Sequence, residues 1–350
     1  MANAFKKKGY EPRLRSIQAS SYNDFALNPK SGSWDSISFK YLHSSQYKQF
    51  KPARWFNKFL ALLKGAIELQ KNRSQVALIY FYNPRYTDSM ALMKYSKNLK
   101  LPLVVDQTEL FSTIDSRSLK DEEYIASHAD VLLVISNKLK AHFQSKYSMN
   151  TVFQVPIAVD LGRFTEPSED LNYTIGYLGS FASKDGITDI LSAYTKAKQV
   201  YPQLKLRLIG HNAGMNGNSM NSTDDIVFTG AVDAKDIPAE LAQCDTFILN
   251  RLNNAFSSYG FPYKLGEYFA AGSPVLVSDI DGFSQELPDH VVLKYRAGDV
   301  KALIRAILYR YENLNEMNDL ARKGYQYAEK NYNSNVVENS FVSSFTNALK

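Results

Sequence analysis

The chain has 350 residues, of which 45% are hydrophobic and 22% charged, so it is long enough for two domains with separate cores. A single cysteine, Cys244, excludes an internal disulfide framework, and no apolar run reaches the roughly 18 residues that a membrane-spanning helix needs. The start, MANAFKKKGYEP, lacks the apolar core of a signal peptide, which favours a cytoplasmic protein. The net charge of +6 is uneven, because residues 1–166 hold 24 Lys and Arg against 14 Asp and Glu; we expect this half to meet an anionic partner.

Helix-like and strand-like segments alternate along the chain. In the first half, the periodicity predicts helices at 2–10, 55–71, 86–100, 122–129 and 138–147, and strands at 12–20, 35–42, 74–84, 101–107 and 130–136. In the second half, it predicts strands at 173–179, 204–210, 226–230, 245–250 and 274–279, and helices at 187–202, 264–272, 299–331 and 331–350. Continuous apolar strands between helices indicate parallel sheets covered on both faces. Two such runs, separated near residues 155–170, predict two doubly wound domains.

The start of the first domain departs from this pattern. A doubly wound domain normally opens with its central strand and a Gly-rich turn, whereas this chain opens inside a segment with the pattern of the first helix. Either the start is truncated or the domain is built in an unusual way. We therefore predict a gap in the first sheet, or an unusual strand pairing across it.

The most informative stretch is FPYKLGEYFAAGSPVL, residues 261–276. It places Lys264 at the start of an apolar helix and Glu267 one turn later, before a buried strand. A helix start offers unpaired N–H groups that favour phosphate, and a lysine adds a positive charge for a diphosphate. A carboxylate one turn later can accept hydrogen bonds from a ribose diol. The alternative is an ordinary amphipathic helix with one surface Lys and one surface Glu.

This stretch resembles the donor-binding signature of glycosyltransferase family 4, whose members have the GT-B fold. The family pattern P-x-K-x-x-E-Y-x-A-x-G-x-P-V has counterparts in Pro262, Lys264, Glu267, Tyr268, Ala270, Gly272, Pro274 and Val275. Further family-like segments occur in the family's order at 122–136, 155–164, 175–194, 204–210 and 226–232, so the resemblance covers nearly the whole chain. It implies an α/β chain with two Rossmann-like domains facing a cleft. Residues 1–165 would form the acceptor domain, 166–330 the nucleotide-sugar donor domain, and 331–350 a helix returning to the first domain.

The resemblance also implies a reaction, in which a sugar moves from a nucleotide-diphosphate sugar with retention at the anomeric carbon. The family normally needs no metal ion and no other cofactor, because protein cations stabilise the leaving diphosphate. By analogy, Lys264 would hold the diphosphate and Glu267 the ribose. The other donor contacts would come from the Leu265 backbone near the ribose, from Gly179 and Ser180 near the phosphates, and from Phe228 to Val232 near the base.

Three positions differ from the family pattern. Ser180 stands where the family often has Arg, and Asp185 where it often has Lys. Lys184 and Arg251 are the cations that would replace these two. Tyr259 stands where a glutamate often contacts the sugar, so the family pattern does not identify the donor sugar.

Asp106 and Glu109 lie at the end of the first-domain strand predicted at 101–107. We expect them to orient the acceptor hydroxyl or to act as a base, with helix capping or loop solvation as the alternative. His211 follows a second-domain strand and is either a donor contact or, more simply, a loop histidine. No histidine or cysteine pair has metal-ligand spacing, and Cys244 is expected to pack in the core.

Residues 51–73 form a basic, aromatic-rich segment with the pattern of an amphipathic helix. Such helices bind membrane surfaces, whereas the alternative is a helix that only covers the first sheet. We expect the apolar stripe to pack on the sheet while the basic rim faces anionic lipid at the inner face of the membrane. The acceptor would be a saccharide or a lipid-linked saccharide, in the biosynthesis of a surface polysaccharide.

Two other functional classes remain open at this point. One is a non-catalytic GT-B protein that binds a nucleotide or a partner chain, which the unusual start favours. The other, weaker class is a nucleic-acid binder, which the basic first half allows. We expect no nucleic-acid partner, because the sequence has neither clustered aromatics nor a known reading motif there.

Overall fold

The computed structural model describes residues 2–16, 31–34, 36–42, 51–84, 86–165, 171–181, 183–210 and 222–346. The chain divides into two compact α/β units. Unit 1 comprises Met1–Val134, Leu139–Val155 and Glu338–Lys350, and unit 2 comprises Ile135–Lys138 and Pro156–Val337. Within the described ranges, none of the helices combines the length and the apolar character needed to cross a bilayer.

The described residues of unit 1 form strands and helices that largely match the predicted ones. The strands are β1 (Arg13–Ser16), β2 (Ser31–Trp34), β3 (Ile37–Tyr41), β4 (Ile79–Tyr82), β5 (Leu103–Gln107), β6 (Val131–Val134) and β7 (Val152–Gln154). The helices are α1 (Ala2–Lys7), α2 (Lys51–Asn72), α3 (Tyr86–Asn98), α4 (Ser118–His128) and α5 (Asn137–Tyr147), and the first two residues of α5 are counted with unit 2. The sequence pattern did not predict β2 or β7.

These strands form two sheets. One is entirely parallel, in the order β4-β5-β6-β7, and every residue of its central strands β5 and β6 is buried. The other has the order β1-β3-β2, with β1 parallel and β2 antiparallel to β3. In the part of the chain that the structure describes, no strand joins the two sheets, and the predicted gap in the first sheet stays a prediction.

Residues from both ends of the chain pack together in unit 1. The ring of Phe341 is 2% exposed and lies edge-on to Phe5 and Tyr80, with centroid distances of 5.6 Å and 6.3 Å. The Lys7 ammonium lies 2.5 Å from the Glu338 carboxylate. Helix α1 is therefore fixed to the unit by the C-terminal segment.

The part of unit 2 that the structure describes forms a six-stranded parallel sheet with helices. Its strands are β8 (Thr174–Leu178), β9 (Lys205–Ile209), β10 (Ile226–Phe228), β11 (Thr246–Leu249), β12 (Val275–Asp279) and β13 (Leu293–Arg296). Its helices are α6 (Ile187–Lys198), α7 (Ile237–Leu241), α8 (Ala255–Tyr259), α9 (Lys264–Ala270), α10 (Val300–Glu312), α11 (Leu314–Asn331) and α12 (Ser334–Thr346), the last of which ends in unit 1. The predicted helix at 299–331 is in fact two helices, and β13 was not predicted.

The strand order β10-β9-β8-β11-β12-β13 is that of a doubly wound sheet. From β8 the chain adds β9 and β10 on one side of the sheet, and from β11 it adds β12 and β13 on the other side. Doubly wound sheets bind ligands at such a switch point, at the carboxyl ends of the strands. Side chains alternate along β11, so that Phe247 and Leu249 join one apolar cluster and Ile248 joins the other. Cys244 is 4% exposed within the first cluster, which confirms its predicted packing role.

Helix α2 corrects one expectation. Its large apolar side chains were expected to cover the sheet, yet Trp55, Phe56 and Phe59 are 70%, 62% and 60% exposed. The small residues Ala61 and Gly65 are buried instead, and a Cβ on Gly65 would lie 3.3 Å from Leu42 and Leu92 side-chain atoms. The helix packs through its small residues because they allow the closest approach to its neighbours.

Candidate functional site

Two loops meet at the carboxyl ends of β8 and β11 in unit 2. The Asn250 side-chain amide donates to the carbonyls of Asp185 and Gly186, at 3.4 Å and 3.0 Å. The Asn250 side-chain oxygen accepts from the Tyr295 hydroxyl at 2.8 Å, so Asn250 is itself held in place. These bonds attach the loop after β8 to the segment after β11, at the edge where a ligand is expected.

Lys264 is the first residue of α9 and points into this loop pair. Its ammonium donates to the Tyr177 hydroxyl at 2.9 Å and lies 3.4 Å from Asp185 Oδ1. The pKa of Lys264 is lowered to about 8, mainly by burial and also by the positive charges of Arg251 and Lys184. The negative charge of Asp185 acts in the opposite direction. Burial and the Asp185 charge raise the pKa of Tyr177, so this hydroxyl stays protonated.

Two glycines make room for this arrangement. A Cβ on Gly179 would lie 2.5 Å from the Tyr177 hydroxyl and 2.7 Å from Lys264 Nζ, closer than real contacts allow. Gly210 has a φ of 131° and comes so close to the Gly179 carbonyl oxygen that a Cβ would collide with it. The backbone after β8 therefore passes directly beside the Lys264 ammonium, where a side chain would block it.

The predicted substitute cations lie around the same loops. Arg251 is 8% exposed, and its backbone N–H donates to Ser278 Oγ at 2.8 Å. Its guanidinium lies 5.9 Å from the Phe283 ring centroid. Lys184 Nζ lies 5.3 Å from the ring centroid of Phe256. Ser180 is partly exposed in the loop after β8. The structure thus brings the charges of Arg251 and Lys184 close enough to Lys264 to affect its pKa.

Glu267 lies one turn into α9, as the spacing predicted. Burial raises its pKa, while the positive charges of Arg163 and Lys264 act in the opposite direction. The side chain of Leu265 is fully buried in the core, and its N–H donates to the Pro262 carbonyl at 3.1 Å. Only the backbone of Leu265 is therefore available to a ligand.

The remaining predicted donor contacts are more dispersed. Phe228 lies edge-on to Phe181 at 6.4 Å, whereas Val232 packs against the apolar cluster on the other face of the sheet. The ring of Tyr259 lies 5.1 Å from Lys138 Nζ, and its carbonyl accepts from Ser136 Oγ at 2.6 Å. Position 211, the predicted histidine, lies outside the described residues.

Asp106 and Glu109 belong to unit 1, so they do not share a unit with Lys264. Asp106 ends up at the carboxyl end of β5, is 3% exposed, and accepts a hydrogen bond from the Tyr80 hydroxyl. Burial raises its pKa to about 6, although the Tyr80 hydrogen bond acts against the shift. The Glu109 carbonyl accepts from the Gln107 side-chain amide at 2.7 Å, which fixes the backbone of this loop.

Sequence reasoning missed Tyr177 and Asn250 and the pairing of Asp185 with Lys264. For Asp185 a signal was present, because an acid stands where the resemblance predicts a lysine. For Tyr177 and Asn250 no signal was available, since each acts through residues distant in the chain. Among the residues that the structure describes, no three His, Cys, Asp or Glu side chains cluster closely enough to hold a metal ion.

The second half of the chain has known sequence relatives. Residues 172–313, which include this loop pair, match the family model described as Glycosyl transferases group 1. A stretch of 144 residues is 26% identical to the phosphatidyl-myo-inositol mannosyltransferases of Mycobacterium tuberculosis and Mycobacterium bovis. That stretch covers 39% of this chain and only 37% of the length of those relatives.

Solved structures match over most of the chain. The sucrose-phosphate synthase of Thermosynechococcus elongatus superimposes with a TM-score of 0.75 at 16% identity, covering 98% of this chain and 90% of that one. A glycosyltransferase from Rickettsia africae gives 0.72 at 13% identity, over 100% and 93% of the two chains. Anabaena HepE, solved in complex with UDP and glucose, gives 0.69 at 15% identity, over 89% and 86%. The chain has the GT-B fold. The GT-B fold combines two Rossmann-like domains, and the sheet of unit 2 shows the strand order of such a domain.

Proposed function

We propose that this chain is a retaining glycosyltransferase that moves a hexosyl group from a nucleotide-diphosphate sugar to a hydroxyl of its acceptor. The observation that carries the proposal is the buried Lys264 ammonium beside the side-chain-free backbone of Gly179, inside the stretch that matches group 1 glycosyltransferases. Fold similarity alone does not define a reaction, so the proposal depends on this site. The UDP bound in the structure of Anabaena HepE makes a uridine nucleotide the first donor to test.

The charges of the site suit a leaving diphosphate. Lys264, Arg251 and Lys184 are cations around one loop pair, and Asp185 is the acid among them. Burial lowers the pKa of Lys264 to about 8, and an approaching diphosphate would raise it again and favour the protonated ammonium. Fixed cations in a site sheltered from water stabilise developing negative charge strongly, so we propose that transfer needs no metal ion.

The carboxylates would have separate roles. Glu267, one turn after Lys264, would accept hydrogen bonds from the two ribose hydroxyls, with the Leu265 backbone beside it. Asp106, in unit 1, would orient the acceptor hydroxyl or accept its proton, for which a pKa of about 6 is suitable. We propose that the acceptor is a saccharide or a lipid-linked saccharide, used in surface polysaccharide synthesis at the cytoplasmic face of the membrane.

A calorimetric screen tests the donor site. UDP, GDP, ADP and their sugar derivatives are titrated into the full chain in the presence of EDTA, and thermal unfolding is recorded alongside. A ligand at about 100 times its Kd stabilises the folded state by roughly 2.7 kcal/mol. Lys264→Ala and Glu267→Ala should abolish the response, whereas the exposed Lys205→Ala in the same unit should not. A folded chain that responds to none of the nucleotides contradicts the proposal.

A second candidate function has one observation in its favour. Asp185 stands beside Lys264 and offsets part of the positive charge that a diphosphate would use. A GT-B protein that binds a nucleotide without transferring a sugar would tolerate this loss of charge. Binding of a nucleotide sugar with neither hydrolysis nor transfer to any tested saccharide would favour this second function.

A further inference from the structure

Helix α2 in unit 1 presents an unusual surface. Its apolar side chains at positions 55, 56, 59, 63 and 67 are between 45% and 70% exposed. At about 100° per residue, positions 56, 59, 63 and 67 fall within an arc of roughly 80°. Ala61 and Gly65 lie on the opposite side and are the residues that face the unit. We call the exposed set, Trp55, Phe56, Phe59, Leu63 and Ile67, the outer stripe.

The distribution of sizes argues against a helix that only covers a sheet. Such a helix gains most by burying its largest apolar side chains and exposing its polar ones. In α2 the three aromatic residues of the outer stripe are exposed, and the buried positions carry a methyl group or no side chain. The outer stripe is therefore suited to binding an apolar surface outside unit 1.

The charges around the outer stripe indicate what kind of apolar surface it binds. Residues 51–73 contain six Lys and Arg and a single acid, Glu68. Arg15 of β1 pairs with that acid, its Nε lying 2.8 Å from Glu68 Oε1. Lys64 and Lys71 are exposed and lie about 80–100° from the centre of the arc that positions 56, 59, 63 and 67 span. An aromatic stripe beside exposed lysines matches a bilayer surface that carries anionic headgroups.

We propose that α2 docks unit 1 onto an anionic lipid surface, with the outer stripe inserted at the headgroup level and the flanking lysines against the headgroups. A second copy of this chain fits the surface less well, since both copies would bring the same excess of positive charge. The inference does not depend on the proposed sugar transfer, because it rests on residues of unit 1 alone.

Vesicle co-sedimentation of the full chain tests the proposal. The chain should bind vesicles that contain phosphatidylglycerol more tightly than vesicles of phosphatidylcholine alone, and added salt should weaken binding. Phe56→Ser/Phe59→Ser should lower the partition coefficient at least about tenfold, because two exposed rings no longer leave water. Ile114→Ser is the matched control, since Ile114 is an equally exposed apolar residue of unit 1 outside the outer stripe, at 57%.

The electrostatic part has its own control. Lys64→Glu/Lys71→Glu should also lower binding at least about tenfold, at roughly 1 kcal/mol for each charge near the surface. Lys120→Glu/Lys205→Glu makes the same change in net charge at exposed sites elsewhere and should leave binding nearly unchanged. Thermal unfolding of each variant shows that the substitutions leave the fold intact.

Tryptophan fluorescence reports insertion directly. The chain has two tryptophans, so Trp34→Phe leaves Trp55 as the only indole. Its emission should shift to shorter wavelength on anionic vesicles. Absence of binding to anionic vesicles, equal binding by the outer-stripe variant, or an outer-stripe-dependent dimer in light scattering without lipid binding would each overturn the proposal. Nucleotide titration of the same samples, without vesicles, keeps this result separate from the test of the donor site.

Discussion

The ion pair between Lys264 and Asp185 allows a test in which stability and ligand binding respond differently. Lys264→Met removes the ammonium 3.4 Å from Asp185 Oδ1 and leaves a carboxylate whose side chain is 3% exposed. At an effective dielectric constant of about 20, unit charges at this distance attract by about 5 kcal/mol. Breaking a buried pair from one side costs about 3–5 kcal/mol, so we expect Lys264→Met to lower the free energy of unfolding by about 3 kcal/mol.

A second substitution removes the stranded charge. In Lys264→Met/Asp185→Asn neither buried partner is charged, and the free energy of unfolding should return to within about 1 kcal/mol of the original. Urea unfolding of all four members of the cycle should therefore give a coupling free energy of about 2–3 kcal/mol. Additive losses would refute the pairing.

Nucleotide binding should not recover with stability. Lys264 is proposed to hold the diphosphate, and a charge-assisted hydrogen bond contributes about 1.5–3 kcal/mol, so affinity for UDP should fall at least about tenfold in both methionine variants. Isothermal titration calorimetry measures this. If the stable double variant binds UDP as tightly as the original chain, then Lys264 does not hold the diphosphate and the proposed site is wrong.

Three further outcomes can be measured. Gly179→Ala should weaken UDP binding at least about tenfold in calorimetry, because its Cβ would lie 2.5 Å from the Tyr177 hydroxyl and 2.7 Å from Lys264 Nζ. Burial raises the pKa of Asp106 to about 6, so the folded state binds this proton more tightly than the unfolded state does. The contribution of Asp106 to the free energy of unfolding should therefore rise by about 3 kcal/mol as the pH falls through 6 to about 4. Asp106→Asn should remove this rise. Burial alone would raise the pKa of Glu122, but hydrogen bonds, led by the one from His142, lower it to about 2. The free energy of unfolding should therefore decrease as the pH falls from about 4.5 to 2. Urea unfolding of Glu122→Gln should not show this decrease. For Asp106 or Glu122, a free energy of unfolding that depends on pH in the same way in the variant and in the original chain would contradict the assignment.

The sequence predicted the long apolar strands and missed the short polar ones. Strand β6 has the sequence VLLV, and β5 and β12 open with LVV and VLV; such apolar runs are stable only when both faces are covered. Strand β2 has the sequence SGSW and no apolar run; only its pairing with β3 makes it a strand. Strands β7 and β13 are three and four residues long and are likewise formed by their parallel neighbours.

Within the site, spacing along one helix was predictable and pairing across loops was not. Lys264 and Glu267 are three residues apart, so a helix puts them one turn apart wherever it lies. Asp185 is 79 residues from Lys264 and reaches it only because Asn250 holds the loop after β8. Helix α2 shows the same limit, since periodicity groups its apolar residues but does not say which side faces the unit. The close fit of Ala61 and Gly65 decides that.

The contact of Phe341 with Phe5 and Tyr80 sets an order for folding during synthesis. Lys7 meets its partner Glu338 across 331 residues, so this pair forms only after the residues between them, including all of unit 2, have been made. Unit 2 ends at Val337 and has all of its strands before then. Unit 1 therefore begins before unit 2 in the sequence and is completed after it, and without residues 338–341 the rings of Phe5 and Tyr80 lack their contact with Phe341. Apolar surface of unit 1 stays uncovered until residues 338–341 have been made, which favours aggregation of the incomplete chain.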